Sequence, residues 1–383
     1  MRKLIKLQKD LSICYSSAIA DFLNPDQVYI PKKDNYELLV KQNENVLKGQ
    51  MILENNLNKV ISPISGVVQG LINKNVDGKI QKTVVIQNDF KEKEKSNNRK
   101  IKKYNKEIII SKLYEYYFKY IASILESKKI NHLIIKGLDD EPYIVNNSYV
   151  LNSYHREILE LADLLTTQFN IVNTLIVIKS NDTTNIEKYL ANIGTYPNIH
   201  LKLIEDYYLL GNDYFLLENL ALSERDTLVI DAKTFLEIYY ALFYNKYFHE
   251  TFITISGKSI EKAYVIKAKN GSLLSDILTK FIKYKDEKHI FILNGLMTGT
   301  KCDPEKTIIT KNTKGVIVIP DEEIPSTKCI SCGLCYKVCP VKVNPKKVMD
   351  SHKISNNCLD CGLCSYICPS YINLRKYLRG EYE

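Results

Sequence analysis

Near its C-terminus the chain reads CISCGLCYKVCPVKV, and after a gap of eighteen residues beyond Cys339 it reads CLDCGLCSYICPSYI. Both phrases follow C-x2-C-x2-C-x3-C-P. The first contains Cys329, Cys332, Cys335, Cys339 and Pro340, and the second Cys358, Cys361, Cys364, Cys368 and Pro369. Eight of the ten cysteines therefore lie in one stretch of the sequence. Disulfide frameworks belong to short secreted chains. The start MRKLIKLQKDLS is basic but lacks the apolar core of a signal peptide. Structural zinc usually takes two C-x2-C pairs separated by a longer loop. Two full repeats with trailing prolines fit two [4Fe–4S] clusters, which soft thiolates suit. In two-cluster proteins the fourth cysteine of each run binds the other cluster. The expected ligand sets are Cys329, Cys332 and Cys335 with Cys368, and Cys358, Cys361 and Cys364 with Cys339. Pro340 and Pro369 fix φ and turn the chain. Gly333 and Gly362 let the backbone pass close to the cluster sulfides.

The rest of the 383 residues leaves room for two to four domains, with 45% apolar and 25% charged residues to build them. No apolar run approaches the ~18–20 residues of a membrane span. The expected location is cytoplasmic, or peripheral on the cytoplasmic face of a membrane. The net charge of +9 comes with no nucleic-acid motif, so no nucleic-acid partner is expected. The six histidines are scattered, and Cys14 and Cys302 stand alone and read as plain thiols.

Along the chain, short β-type runs (YELLV, VISPI, SGVVQGLI, KTVVIQ) alternate with turn residues over 27–90. Gly49 and Gly66 sit where tight turns are expected. This unit resembles the barrel-sandwich hybrid of biotinyl and lipoyl domains. Lys59 lies beside it, but no D-K-A or M-K-M tip occurs, so a docking or structural module is expected. Residues 91–107 carry a run of basic residues with little to bury, which reads as a charged linker. Residues 108–248 alternate helix and strand, predicting an α/β domain with a largely parallel sheet. Its first helix is predicted over 111–127, with Leu113, Tyr117, Tyr120, Ile121, Ile124 and Leu125 on one stripe. Its strands are HLIIK, TLIVIK, HLKLI and TLVID, with TFITIS (Thr251–Ser256) either following them or opening the next unit. Residues 249–295 then read as a β-grasp module, 296–325 as a connecting segment and 326–383 as the two-cluster ferredoxin-like domain.

This order resembles the C subunit of the Rnf electron-transport complex, a ferredoxin:NAD oxidoreductase that pumps ions. The central part of that family is related to the flavin-binding 51-kDa subunit of respiratory complex I. VYIPKKDNYELLVKQNENVLKGQMI and KVISPISGVV match its first module, and LIIKGLDDEPYIVNNSYVL resembles its N-G-x-x-x-E-P-Y segment, with Glu141, Pro142 and Tyr143 retained. TISGKS and NGLMTG (Asn294–Gly299) resemble its V-T-G and G-G-P-M-M-G phrases. The resemblance implies a multidomain α/β fold: an N-terminal barrel-sandwich hybrid, a central domain of the 51-kDa type, a β-grasp module of the soluble-ligand-binding type and the C-terminal ferredoxin-like domain.

One part is missing. The family carries a glycine-rich loop, G-x-G-G-A-G-F-P-T, ahead of the E-P-Y segment, and its glycines let backbone N–H groups approach phosphates. Here no glycine occurs from Lys79 to Lys136, and the expected place holds SKLYEYYFKYIASILES. The family's Asn is Lys136. Neither FMN nor NAD is expected to bind, and Glu141 reads as a relic of the cofactor site. The leading expectation is an electron-transfer subunit of an Rnf-like complex, or a carrier feeding a reductase. Its partners would be other redox subunits, a ferredoxin, a flavodoxin or a reductase, with any membrane attachment made through them. Lys337, Lys342, Lys346 and Lys347 surround the clusters and suit an acidic partner. The alternatives are a flavin-dependent NADH dehydrogenase with an altered nucleotide loop, and a redox-sensing module.

Overall fold

The computed structural model describes residues 18–56, 59–76, 79–95, 103–285, 288–322 and 324–381. The basic start, Cys14 and the middle of the charged stretch (96–102) lie outside the described residues.

The first module packs two sheets face to face. Strands Asn45–Val46, Gly66–Val76, Lys79–Asn88 and Gln27–Pro31 form one, and Glu37–Leu38, Met51–Glu54 and Lys59–Ile61 the other. Alternate residues such as Val28 and Ile30 turn inward to meet Ile52, Leu53, Ile64, Val68, Val84 and Ile86. Each such buried side chain contributes about 1.5–3 kcal/mol. Gly66 is not in a turn. It opens a strand where a Cβ would stand 1.9 Å from the Gln87 carbonyl oxygen, so the neighbouring strand leaves room only for glycine. The charged stretch is partly anchored: Lys48 exchanges backbone hydrogen bonds with Lys93 and Lys95, and Lys246 pairs with Glu94 at 2.6 Å.

The central module holds a parallel sheet in the order Ile199–Ile204, Asn173–Lys179, His132–Lys136, Thr227–Asp231. Asp231 ends the last strand and caps the next helix, Ala232–Tyr244, by accepting from the Thr234 N–H. Helix His155–Phe169 buries Ile158, Leu159, Leu161, Ala162 and Leu165, at the three- and four-residue spacing of one helical face. The helix predicted over 111–127 is two helices, Lys106–Glu115 and Lys119–Ser127. Between them Tyr117 has φ 68°, and the Phe118 N–H reaches back to the Leu113 carbonyl. The break carries Tyr116 and Tyr117 against the Tyr247 ring, at 4.6 and 6.2 Å between centroids.

TFITIS does not extend the parallel sheet. It lies in a six-stranded sheet ordered Ala18–Phe22, Tyr264–Lys269, Glu250–Ser256, Gly315–Pro320, His289–Leu293, Thr300–Cys302. Helix Leu274–Phe281 covers it with Leu274, Ile277 and Leu278. The segment expected to be a connector, 296–325, therefore supplies two strands. GVIVIP is apolar enough to be buried between two neighbours. Gly271, at φ 89°, brings this sheet against the sandwich, and its carbonyl accepts from the Tyr29 N–H at 2.9 Å.

The last module is four short helices, Leu334–Val338, Pro345–Ser351, Leu363–Tyr366 and Leu374–Leu378. Its buried apolar core is Val343, Val348, Leu374 and Leu378 with Cys364, against which Cys335, Cys339, Cys358 and Cys368 pack. Cores this small rarely sustain a fold without disulfides or metal centres.

Candidate iron–sulfur centres

The two phrases fold as repeats offset by 29 residues, from Cys329 to Cys358. Ser331 and Asp360 both take positive φ, 56° and 53°, and each donates its N–H to the sulfur two residues earlier at 3.4 Å. Gly333 and Gly362 follow at φ 72° and 75°, each starting a short helix. Asn344 and Asn373 precede the second helix of each repeat.

A cavity is lined by Cys358, Cys361 and Cys364 of the second phrase and by Cys339 of the first. Pro340, Val341, Val343 and Leu363 close it with apolar surface. Cys335 faces Cys329 and Cys332. The segment before Cys329 is tied to the segment after Cys368, since Thr327 N–H donates to the Ser370 carbonyl and the Ser370 hydroxyl to the Lys328 carbonyl. The described cysteines form no disulfide. Among the described residues no three His, Cys, Asp or Glu side chains converge on a single-ion site. Thiols spread around a cavity suit a cuboidal cluster better than one ion, so the residues fit the group. Burial raises the thiols of Cys335, Cys358 and Cys361 and pushes Cys364 up to about 12. Positive iron would reverse that preference.

The surroundings of the two halves differ. Asp360 accepts from Arg375 through both oxygens, at 2.6 and 2.7 Å, a bidentate lock on the second loop. Ser331 stands at the matching place in the first phrase, and Lys346, the repeat mate of Arg375, pairs instead with Asp350. The second loop also docks on the rest of the protein. The Tyr208 hydroxyl donates to the Cys361 carbonyl at 2.8 Å, and Leu363 is buried with Leu209, Leu210, Phe215 and Met297. A Cβ on Gly362 would lie 2.3 Å from the Met297 carbonyl oxygen. The Met297 N–H and the Thr298 hydroxyl in turn bond the Glu141 carboxylate, which is buried. Sequence reasoning singled out Glu141 and NGLMTG but not Tyr208 or Arg375. The mismatch of Asp360 and Arg375 against Ser331 and Lys346 is the signal that the repeat itself carried.

At the carboxyl ends of the parallel strands lies a crevice lined by Leu138, Asp139, Glu141, Lys179, Glu205, Asp206, Tyr207, Tyr208, Leu210 and Gly211. Lys179 is held by Asp206 at 3.2 Å. Lys136 bonds the Gly211 carbonyl at 2.7 Å and Asp213 at 2.5 Å. Burial pushes Asp139 up to about 7, although the Asn147 and Ser148 N–H groups and Lys179 oppose it. Its folded value lies above the roughly 4 of an unfolded aspartate. Between about pH 4 and 7 the native state keeps a proton the unfolded chain has lost, so stability falls as pH rises through this window. Asp139→Asn should flatten that dependence by on the order of 1–2 kcal/mol between pH 5 and 8. Urea midpoints at the two pH values measure it, and an unchanged slope contradicts it.

Fold and loops together define an iron–sulfur protein whose central module has the fold of the complex I 51-kDa subunit. Family models match as the RnfC barrel sandwich hybrid domain over residues 2–91, the Nuo51 FMN-binding domain over 112–233 and the 4Fe–4S dicluster domain over 322–369. Taken together, these matches support an RnfC-like family. It is 26% identical to the C subunit of the ion-translocating oxidoreductase complex of Buchnera aphidicola over 357 residues, covering 85% of this chain and 75% of the relative. The Rhodobacter capsulatus protein of the same name is 23% identical over 228 residues, covering 56% of this chain and 44% of the relative. The C subunit of the Na(+)-translocating ferredoxin:NAD(+) oxidoreductase complex of Acetobacterium woodii is 22% identical over 242 residues, covering 60% and 54%. The chain thus spans about half the length of two of these three relatives. An NAD+-reducing [NiFe]-hydrogenase structure matches with TM-score 0.51 at 10% identity, over 72% of this chain and 61% of that one, and shares the fold.

Proposed function

We propose that the chain is an electron-transfer subunit that passes single electrons through two [4Fe–4S] clusters within an Rnf-like complex or to a reductase. Cys329, Cys332, Cys335 and Cys368 would hold one cluster, and Cys358, Cys361, Cys364 and Cys339 the other. The observation that carries this reading is the cavity in which Cys339 of one phrase meets three cysteines of the next. When bound, the clusters supply reversible one-electron chemistry. The chain's own residues set the conditions. The Ser331 and Asp360 N–H groups aim at Cys329 and Cys358 sulfur, and such bonds stabilise added negative charge. Val341, Val343 and Leu363 keep water from the second site. Crossed fourth ligands keep the two centres adjacent.

The central module is read as a flavin-type fold without its flavin. The crevice at the strand ends carries Asp139, Glu141, Glu205 and Asp206 against Lys179, and that lysine is already paired. A phosphate dianion would meet net repulsion there. No glycine lies between Lys79 and the first parallel strand to bring N–H groups to it. These features argue against FMN or NAD at this crevice, in a module that the Nuo51 FMN-binding domain model matches. Among the described residues no helix is long and apolar enough to cross a membrane. Attachment to the cytoplasmic face through partner subunits is part of the proposal.

The visible spectrum of the anaerobically purified protein tests both statements. A broad absorption that bleaches with dithionite, without structured flavin bands, is expected. Flavin bands would overturn the flavin-free reading and make NADH oxidation the leading function. A colourless, iron-free protein would remove the cluster assignment.

A further inference from the structure

The two cysteine loops, Cys329–Pro340 and Cys358–Pro369, match at seven of twelve positions and differ in exposure around the shared Gly-Leu-Cys. In the second, Gly362, Leu363 and Cys364 are buried against Met297, Leu210 and the domain's own core. In the first, every residue from Thr327 to Lys337 except Cys335 is exposed. Leu334 is 37% exposed and its repeat mate Leu363 1%. A Cβ on Gly333 would meet nothing within 4 Å. Ile330 and Tyr336, 66% and 45% exposed, belong to the same loop. Residues 324–353 carry Lys328, Lys337, Lys342, Lys346, Lys347 and Lys353 against Asp350, which pairs with Lys346, while the exposed Asp321 and Glu322 precede this stretch. Apolar side chains within a basic rim form a surface complementary to an acidic protein.

We propose that the loop Thr327–Lys337 is the electron port of this protein, where a small acidic iron–sulfur carrier docks over Ile330, Leu334 and Tyr336 inside the lysine rim. The proposal rests on the two-cluster reading above and adds which half faces the partner. The first cysteine set exchanges electrons with the carrier, and the second, clamped by Tyr208, Met297 and Arg375, faces the protein interior. The exchange makes and breaks no bond. One electron leaves the reduced carrier, which becomes oxidised, and enters the cluster site, which becomes reduced.

The test is stopped-flow reduction of the cluster-loaded full chain by a reduced, acidic two-[4Fe–4S] ferredoxin, across a series of ionic strengths. In the variant Lys328→Glu/Lys337→Glu the second-order rate should fall at least about tenfold at low salt, with a flatter or inverted salt dependence. Lys128→Glu/Lys202→Glu changes net charge equally at exposed positions elsewhere, and should stay within about twofold of the parent. Dithionite is small and needs no docking surface, so it should reduce all three proteins fully. Equal rates in the two double variants would overturn the port. So would a parent protein that dithionite reduces and the ferredoxin does not. A protein with neither iron nor dithionite-reducible absorption would overturn the cluster reading and the port with it.

Discussion

Removing Cys339 together with Cys361 should cost the protein one complete cluster and leave the other untouched. The two residues belong to different phrases, yet both line the same cavity. Iron should fall from about eight to about four per chain, with the remaining cluster showing an undisturbed reduced EPR signal. Removing Cys335 with Cys339 deletes the same number of thiols from a single phrase. Under crossed ligation that pair takes one ligand from each site, so both signals should change. If each phrase held its own cluster, the two results would exchange places. The same-phrase variant would then keep one signal intact and the mixed variant would lose both. Cys364 is a poor choice for this comparison, because it is buried in the small core and its loss would unfold the module for another reason.

The second large effect concerns two glycines that the sequence presents as equals. Gly333→Ala puts a side chain on a left-handed residue in open space, which should cost about 1–2 kcal/mol. Gly362→Ala meets the same strain and also drives a Cβ into the Met297 carbonyl. Backbone on both sides must move, the Tyr208 bond to Cys361 stretches, and the total should reach about 3 kcal/mol or more. Thermal melts of the two variants, with limited proteolysis between residues 320 and 330, give the measurement. Equal losses would mean that the second loop is not clamped against the body of the protein.

How much of this was legible beforehand follows from how local each feature is. The cluster phrases are local, and each loop's turn, left-handed glycine and short helix are built from about ten consecutive residues. The sandwich and the four parallel strands also announce themselves, through alternation and through apolar runs with caps such as Asp231. The six-stranded sheet does not. Ala18–Phe22 pairs with Tyr264–Lys269 and Gly315–Pro320 with Glu250–Ser256, and no pattern in a short window reports such pairings. The helix break at Tyr117 has no glycine or proline to mark it. It is set by the stack on Tyr247, about 130 residues away. The unequal burial of two matching loops is likewise decided elsewhere, at Tyr208 and Met297. Glu141 illustrates the same limit: the E-P-Y segment drew attention to it, but its partners come from a turn more than 150 residues on.

The strand Ala18–Phe22 has a consequence for how the chain is assembled. It lies in parallel register with Tyr264–Lys269, so the whole sandwich and the parallel-sheet module are inserted between two neighbouring strands of one sheet. During synthesis the N-terminal strand must wait while some 240 residues emerge before its partner exists. The inserted modules can bury their own cores meanwhile, and their folding shortens the effective loop that the last pairing must close. The order of events is then inside out. The two enclosed modules form early, and the sheet that brackets them closes late, bringing the first residues of the described chain home last.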